Sequence, residues 1–301
     1  MFGSYSASWR VARRASIDNL LYKGEVPELT SMYAPGLFEG QVCLVTGGGS
    51  GIGLRCAKEL SLLGAKIAIC GRTESKLEAA KAEIEAVRGG DVLAVACDIR
   101  EPDQIEPFIG EVLDVYGKID VLINNAGGQF PSPAELLSPN GWTAVVRNNL
   151  NGTFFMTREV ANRAMIPAKR GRVVMVTAMV QRGFPGMAHT GAARAGVENL
   201  TKSLAVEWAQ HNLRVNCVAP GNNIRSSGTA QYGEEALEMG RLATPLRRLG
   251  QVEEVGRVIL FLASDQNDFV TGSIYRVDGG QSCWGDIWPI PDPIVGPSDQ
   301  G

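Results

Sequence analysis

Histidine is nearly absent from this 301-residue chain: His189 and His211 are the only two. With so few imidazoles, a zinc or iron site has almost no ligands to draw on, and metal catalysis is not expected. The six cysteines, Cys43, Cys56, Cys70, Cys97, Cys217 and Cys283, form no CxxC pair, and several sit inside apolar runs. They read as reduced core residues of an intracellular protein, behaving as small hydrophobes. No apolar run approaches the roughly 20 residues that a membrane-spanning helix needs. A basic excess is missing too: 29 Lys and Arg against 32 Asp and Glu leave a net charge of -3. There is thus no polybasic signal for nucleic acid or an anionic membrane, and small molecules are the expected ligands. Internal repeats and low-complexity tracts are also lacking.

What is present is an ordinary globular composition, 45% hydrophobic and 20% charged, at a length that suits one large α/β domain. β-Branched apolar runs predict strands at 41–46, 65–70, 92–97, 121–123, 173–176, 215–218 and 273–277. Between them, periodic stretches predict helices at 52–63, 74–87, 105–116, 142–164, 191–209 and 252–262. Continuous apolar strands alternating with helices imply a doubly wound parallel sheet of the Rossmann type, in a single domain over residues 37–283. The preceding residues, 1–36, begin MFGSYSASWRVARRAS, rich in Arg and Ser without an acid. They resemble an organelle transit peptide faintly and are read as an extension on the surface. Residues 284–301 form a Pro-rich tail without helical or strand period.

The first expected strand runs into Thr46-Gly47-Gly48-Gly49-Ser50-Gly51-Ile52-Gly53 and then a helix. Glycines let the backbone approach a pyrophosphate, and the helix N-terminus offers free amides to hold it, so Gly47, Ser50, Gly51, Ile52 and Gly53 are candidate cofactor contacts. The second strand ends Cys70-Gly71-Arg72. An NAD-preferring protein usually carries an acid here for the ribose hydroxyls. Glycine beside Arg72 instead leaves room and charge for a 2′-phosphate, which favours NADP(H).

Further along come Asp98-Ile99, then Asn124-Asn125-Ala126-Gly127, then Asn149 in a helical stretch, and Pro220-Gly221 after a later strand. With the Gly-rich loop, these resemble the ordered motifs of the short-chain dehydrogenase/reductase family over roughly residues 37–280. The resemblance implies that Asp98 and Ile99 border the adenine. It places Asn125, Ala126, Gly127, Pro220 and Gly221 along the cofactor, has Asn149 organise the active-site water or helix, and makes the protein a homotetramer.

The family's Tyr-x-x-x-Lys pair should fall at Thr190 and Arg194, and none of the six tyrosines has a lysine four residues later. Thr177 and Ala178 stand where the family places a serine. This departure is similar to that of the trans-2-enoyl-CoA and 2,4-dienoyl-CoA reductases, which the stretches Asn125-Ala126-Gly127-Gly128-Gln129-Phe130 and HTGAARAGV (189–197) also resemble. That subgroup implies NADPH-dependent reduction of a double bond conjugated to an acyl-CoA thioester.

Ketone reduction needs an acid at oxygen, whereas hydride addition to an enoyl thioester spreads charge into an enolate that donors can stabilise. Thr177, Thr190 and the backbone around Gly191 are the candidate donors and His189 an alternative proton source, with capping of a helix near residue 191 as the other role for His189 and Thr190. Arg194 is expected to hold the nicotinamide ribose and supply fixed positive charge. Tyr232, in a polar segment expected to act as a lid, is the candidate proton donor. Arg182, Arg225 and Arg241 are possible partners for coenzyme A phosphates. A carbonyl reductase with an atypical acid and an NADP(H)-binding pseudoenzyme are the competing functions. The chain ends Ser298-Asp299-Gln300-Gly301, without the peroxisomal tripeptide of its relatives, so a cytoplasmic location is expected.

Overall fold

The computed structural model describes residues 31–90, 92–226 and 233–283. The Pro-rich tail, most of the N-terminal extension and Tyr232 lie outside the described residues. Strands β1 (Val42–Thr46), β2 (Lys66–Gly71), β3 (Val92–Ala96), β4 (Val121–Asn124), β5 (Gly171–Val176), β6 (Leu213–Pro220) and β9 (Ile274–Val277) form one sheet. Its order is β3-β2-β1-β4-β5-β6-β9, with every neighbouring pair parallel. Two layers of helix cover it. Helices α1 (Gly51–Leu62), α2 (Glu74–Arg88) and α9 (Val252–Ala263) lie on one face, and α3 (Pro102–Tyr116), α5 (Gly152–Val160) and α7 (Ala188–Glu207) on the other. The period-2 alternation of a strand divides the core: Cys43 and Val45 enter the first layer, Val42 and Leu44 the second. The expected doubly wound single domain is what the chain forms.

Because β1 pairs with β2 on one side and β4 on the other, the winding reverses there, opening a crevice at the carboxyl ends of the strands. The Thr46 hydroxyl closes the crevice floor by accepting the backbone N–H groups of Asn125 and Ala126, each at 3.0 Å. In return the Asn125 side chain donates to the carbonyls of Thr46 at 3.0 Å and Gly47 at 3.2 Å. This reciprocal clamp joins the two loops that leave β1 and β4.

The expected helix at 142–164 begins earlier, at α4 (Pro139–Val146), where the Ser138 hydroxyl accepts the Gly141 N–H at 3.1 Å. A Ser-Pro pair is a helix-start signal that the apolar period alone passes over. The stretch then contains two π turns, Arg147–Asn151 and Ala161–Met165, before a final turn α6 (Ile166–Ala168). The helix expected at 191 starts at Ala188, with Met187 before it, so His189 and Thr190 lie inside its first turn instead of capping it. A short parallel pair, β7 (Ile224–Arg225) with β8 (Gly250–Gln251), and helix α8 (Gly233–Ala243) complete the described residues. Five cysteines are buried as expected, whereas Cys283 is exposed. Among the described residues no helix is long and apolar enough to cross a membrane.

Thr46→Val keeps the shape of the clamp and removes its acceptor. Stranding two backbone donors should lower stability by about 2 kcal/mol. Urea unfolding of the purified protein measures this, and an unchanged midpoint would show that the clamp is not structural.

Candidate active site

The site starts at the glycine loop. Gly47 has φ +65°, a left-handed conformation that suits glycine, and Gly51 follows with φ +55°. A Cβ on Gly53 would fall on the Gly47 carbonyl and on the Asn125 amide, so the loop closes onto the clamp only without a side chain there. Ser50 precedes α1 but makes no side-chain cap, and the first turn holds no acid. The first-turn amides therefore keep their donors for an anion. These features fit the pyrophosphate of a dinucleotide.

Beyond the loop, a groove is lined by Cys70, Gly71, Arg72, Lys76, Asp98 and Ile99, with Asn148 at its edge. Hydrogen bonds from Arg100 hold the Asp98 carboxyl below its usual range. The charge of Arg72 adds to that effect. Lys76, in the first turn of α2, was not among the sequence candidates. Arg72 precedes the helix and Lys76 sits in its first turn, and both line the groove. Among the described residues no ion pair holds either cation.

On the other side of the loop lies a cavity of about 360 Å³, reached by Gly47, Ser50, Gly51, Ile52, Asn125, Ala126 and Gly127. Thr177, Arg194, Pro220 and Gly221 also line it, so the structure brings these sequence candidates together. Arg194 is 8% exposed, and its guanidinium donates to the Val176 carbonyl at 2.9 Å. Burial pushes its pKa down to about 10. Gly127 makes room for it, because a Cβ there would fall on the guanidinium and on Asn149. No carboxylate pairs with Arg194 among the described residues. The Thr177 hydroxyl is turned into the sheet, 3.3 Å from the Val218 carbonyl and 3.2 Å from the Cys217 sulfur. Burial pushes the Cys217 thiol up to about 12.

Three candidates sit behind the wall. Asn149, inside the first π turn, exchanges hydrogen bonds with Gly128, accepting its N–H at 3.2 Å and donating to its carbonyl at 2.7 Å. It also donates to Val145 at 3.0 Å, so its amide holds the 126–128 loop on the helix. His189 and Thr190 are fully buried and do not line the cavity. The His189 Nδ1 accepts the Thr190 N–H at 2.8 Å, which leaves its proton on Nε2, and the ring stands edge-on to Phe130 at 4.7 Å. The wall also includes Gln129 and three neutral amides that motifs did not signal: Asn222, Asn223 and Gln281. Phe184, Met187, Leu237, Met239 and Leu249 supply its apolar part.

A sequence profile described as Enoyl-(Acyl carrier protein) reductase matches residues 47–282. The chain is 37% identical, over 84% of its length and 100% of the other, to a probable 2,4-dienoyl-CoA reductase (2E-enoyl-CoA-producing) of Bacillus subtilis. It is also 37% identical to the peroxisomal 2,4-dienoyl-CoA reductase (3E-enoyl-CoA-producing) of Danio rerio, over 83% of this chain and 84% of that one. A solved structure of the citronellol catabolism dehydrogenase AtuB of Pseudomonas aeruginosa PAO1 superimposes with a TM-score of 0.75. It is 44% identical and covers 84% of this chain and 99% of its own.

Arg194→Met should separate binding from folding. Replacing a buried unpaired charge with an apolar side chain of similar length leaves the urea midpoint unchanged or raises it. Affinity for a reduced nicotinamide cofactor, read by fluorescence titration, should fall about tenfold or more. A large loss of stability would make Arg194 a structural tie instead.

Proposed function

The chain belongs to the short-chain dehydrogenase/reductase family, and within that family of oxidoreductases we propose that it reduces the carbon–carbon double bond of an enoyl thioester with NADPH. One observation carries this reading: among the described residues, Arg194 is the single ionisable side chain lining the cavity. Among the described residues no tyrosine, lysine, histidine or carboxyl group lines it to deliver a proton as hydride arrives, and the Thr177 hydroxyl is committed to the sheet. Such a wall suits a reaction in which the substrate oxygen gathers charge without needing an acid in the same step.

A nicotinamide held by the glycine loop would supply a hydride to the β-carbon, and negative charge would then gather on the thioester oxygen as an enolate. Arg194, protonated and excluded from water, provides fixed positive charge near that oxygen at no reorganisation cost. The enolate then takes a proton at the α-carbon, from water or from Tyr232, and its double bond returns to the carbonyl. Phe184, Met187, Leu237, Met239 and Leu249 offer an apolar bed for the acyl chain. The two reductases that act on dienoyl-CoA thioesters support the same substrate class. In this reading the enzyme works in the cytoplasm as a homotetramer, with the exposed Trp142 of α4 and Phe154 of α5 as apolar surface for a second copy.

NADPH is favoured over NADH by Arg72 and Lys76, which flank the groove where a 2′-phosphate would sit. Arg72→Ala and Lys76→Ala should each weaken NADPH about tenfold while leaving NADH nearly unchanged, because only NADPH offers the phosphate. Equal losses for both cofactors would count against the assignment.

The substrate class is tested by steady-state rates on crotonyl-CoA, 2,4-hexadienoyl-CoA and 3-oxobutyryl-CoA. The alkenes should be reduced at least about a hundredfold faster than the ketone, the scale of a missing general acid. Faster turnover of the oxo substrate would make the protein a carbonyl reductase, and no turnover of any would leave it a cofactor-binding pseudoenzyme.

A further inference from the structure

Two neighbouring asparagines follow Pro220-Gly221, and both line the cavity. The Asn222 Nδ2 and the Asn223 Oδ1 are buried without a hydrogen-bond partner among the described residues. A buried donor or acceptor left unmade costs free energy, so one of each on a cavity wall calls for a ligand that answers both.

The orientation of Asn223 is settled by its neighbours. The Thr244 hydroxyl donates to the Gly240 carbonyl at 2.7 Å, so it accepts from the Asn223 Nδ2 with which it is paired. The same Nδ2 faces the Asp278 carbonyl at 3.5 Å. Its oxygen is therefore the free atom, on a residue only 2% exposed. Asn222 is anchored through its backbone, whose N–H donates to the Gln281 side chain at 3.2 Å, and the residue lines the cavity.

We propose that Asn222 and Asn223 together read a pantetheine thioester. The Asn222 amide donates to the thioester carbonyl, and the Asn223 oxygen accepts the amide N–H that pantetheine carries two methylenes beyond the sulfur. The inference rests on the enoyl thioester reading and narrows it to thioesters of that arm, whether carried by coenzyme A or by an acyl carrier protein. Asn222 then shares with Arg194 the charge that grows on the carbonyl oxygen. Asn223 rejects esters and simple thioesters, because without an N–H its oxygen stays buried and unpaired.

The test compares two small substrates, the crotonyl thioester of N-acetylcysteamine, which has the amide N–H, and S-butyl thiocrotonate, which lacks it. The native enzyme should favour the first in kcat/KM by about tenfold or more, the worth of one well-made buried hydrogen bond. Asn223→Leu should narrow that preference to about threefold or less, and Asn223→Asp, which keeps an acceptor oxygen, should retain it. Asn222→Leu should lower kcat on both thioesters about tenfold, with NADPH affinity unchanged. Crotonyl-CoA and a crotonyl acyl carrier protein then identify the carrier, since the faster of the two must lose the same factor in Asn223→Leu. Equal use of both small thioesters by the native enzyme overturns the proposal while leaving thioester reduction intact. Weakened NADPH binding in Asn222→Leu also overturns it, placing these amides on the nicotinamide carboxamide. Failure to reduce any thioester, with NADPH consumed by another alkene or by a ketone, defeats the functional reading itself.

Discussion

Everything at the site hangs on the exchange of hydrogen bonds between Thr46 and Asn125. A parallel sheet leaves the ends of its strands to diverge once the ladder stops, and here β1 and β4 end side by side with loops leaving in different directions. The Thr46 hydroxyl and the Asn125 amide cross the gap in both directions. The clamp also sets the glycine pattern, because Gly47 and Gly53 are the positions where a Cβ would press on the Asn125 amide. The glycines thus have two jobs: they leave space for a phosphate on one side and for a tie between strands on the other.

From that floor the electrostatics of the cavity follow. Arg194 reaches it from α7 through a layer of packed side chains, and Gly127, adjacent to the clamp, is the gap that admits its guanidinium. Charge at this depth is costly without a counterion, and the Val176 carbonyl offsets only part of the cost. Among the described residues the cavity wall has one cation, neutral amides and apolar side chains, an arrangement suited to negative charge that appears during a reaction.

The strands, the cofactor loop and the layer order were readable because each depends on local pattern: β-branched runs, glycine spacing and alternation with helices. What escaped depends on rotation and on neutral groups. His189 and Thr190 are site candidates through the motif they stand in, and a helix expected to begin near residue 191 gives them capping as the alternative role. Starting the helix at Ala188 turns them into its buried first turn and leaves Arg194 as the member of that stretch that faces the cavity. Asn222, Asn223 and Gln281 belong to no motif, and an amide in a sequence does not show whether its hydrogen bonds will be met. Lys76 was hidden in a charged surface helix, where a lysine is the ordinary occupant.

The π turn at Arg147–Asn151 bears on how relatives of this chain can be compared. A π turn holds one residue more than the α-helix it interrupts, so removing any one of its residues would restore regular winding. Each residue of an α-helix advances by about 100°, and Asn149 would then swing away from Gly128, taking with it the support of the 126–128 loop. The turn therefore sets the count of residues between that loop and the end of the helix. A homologue with a single-residue gap in this stretch has lost the joint as surely as one that has replaced the asparagine.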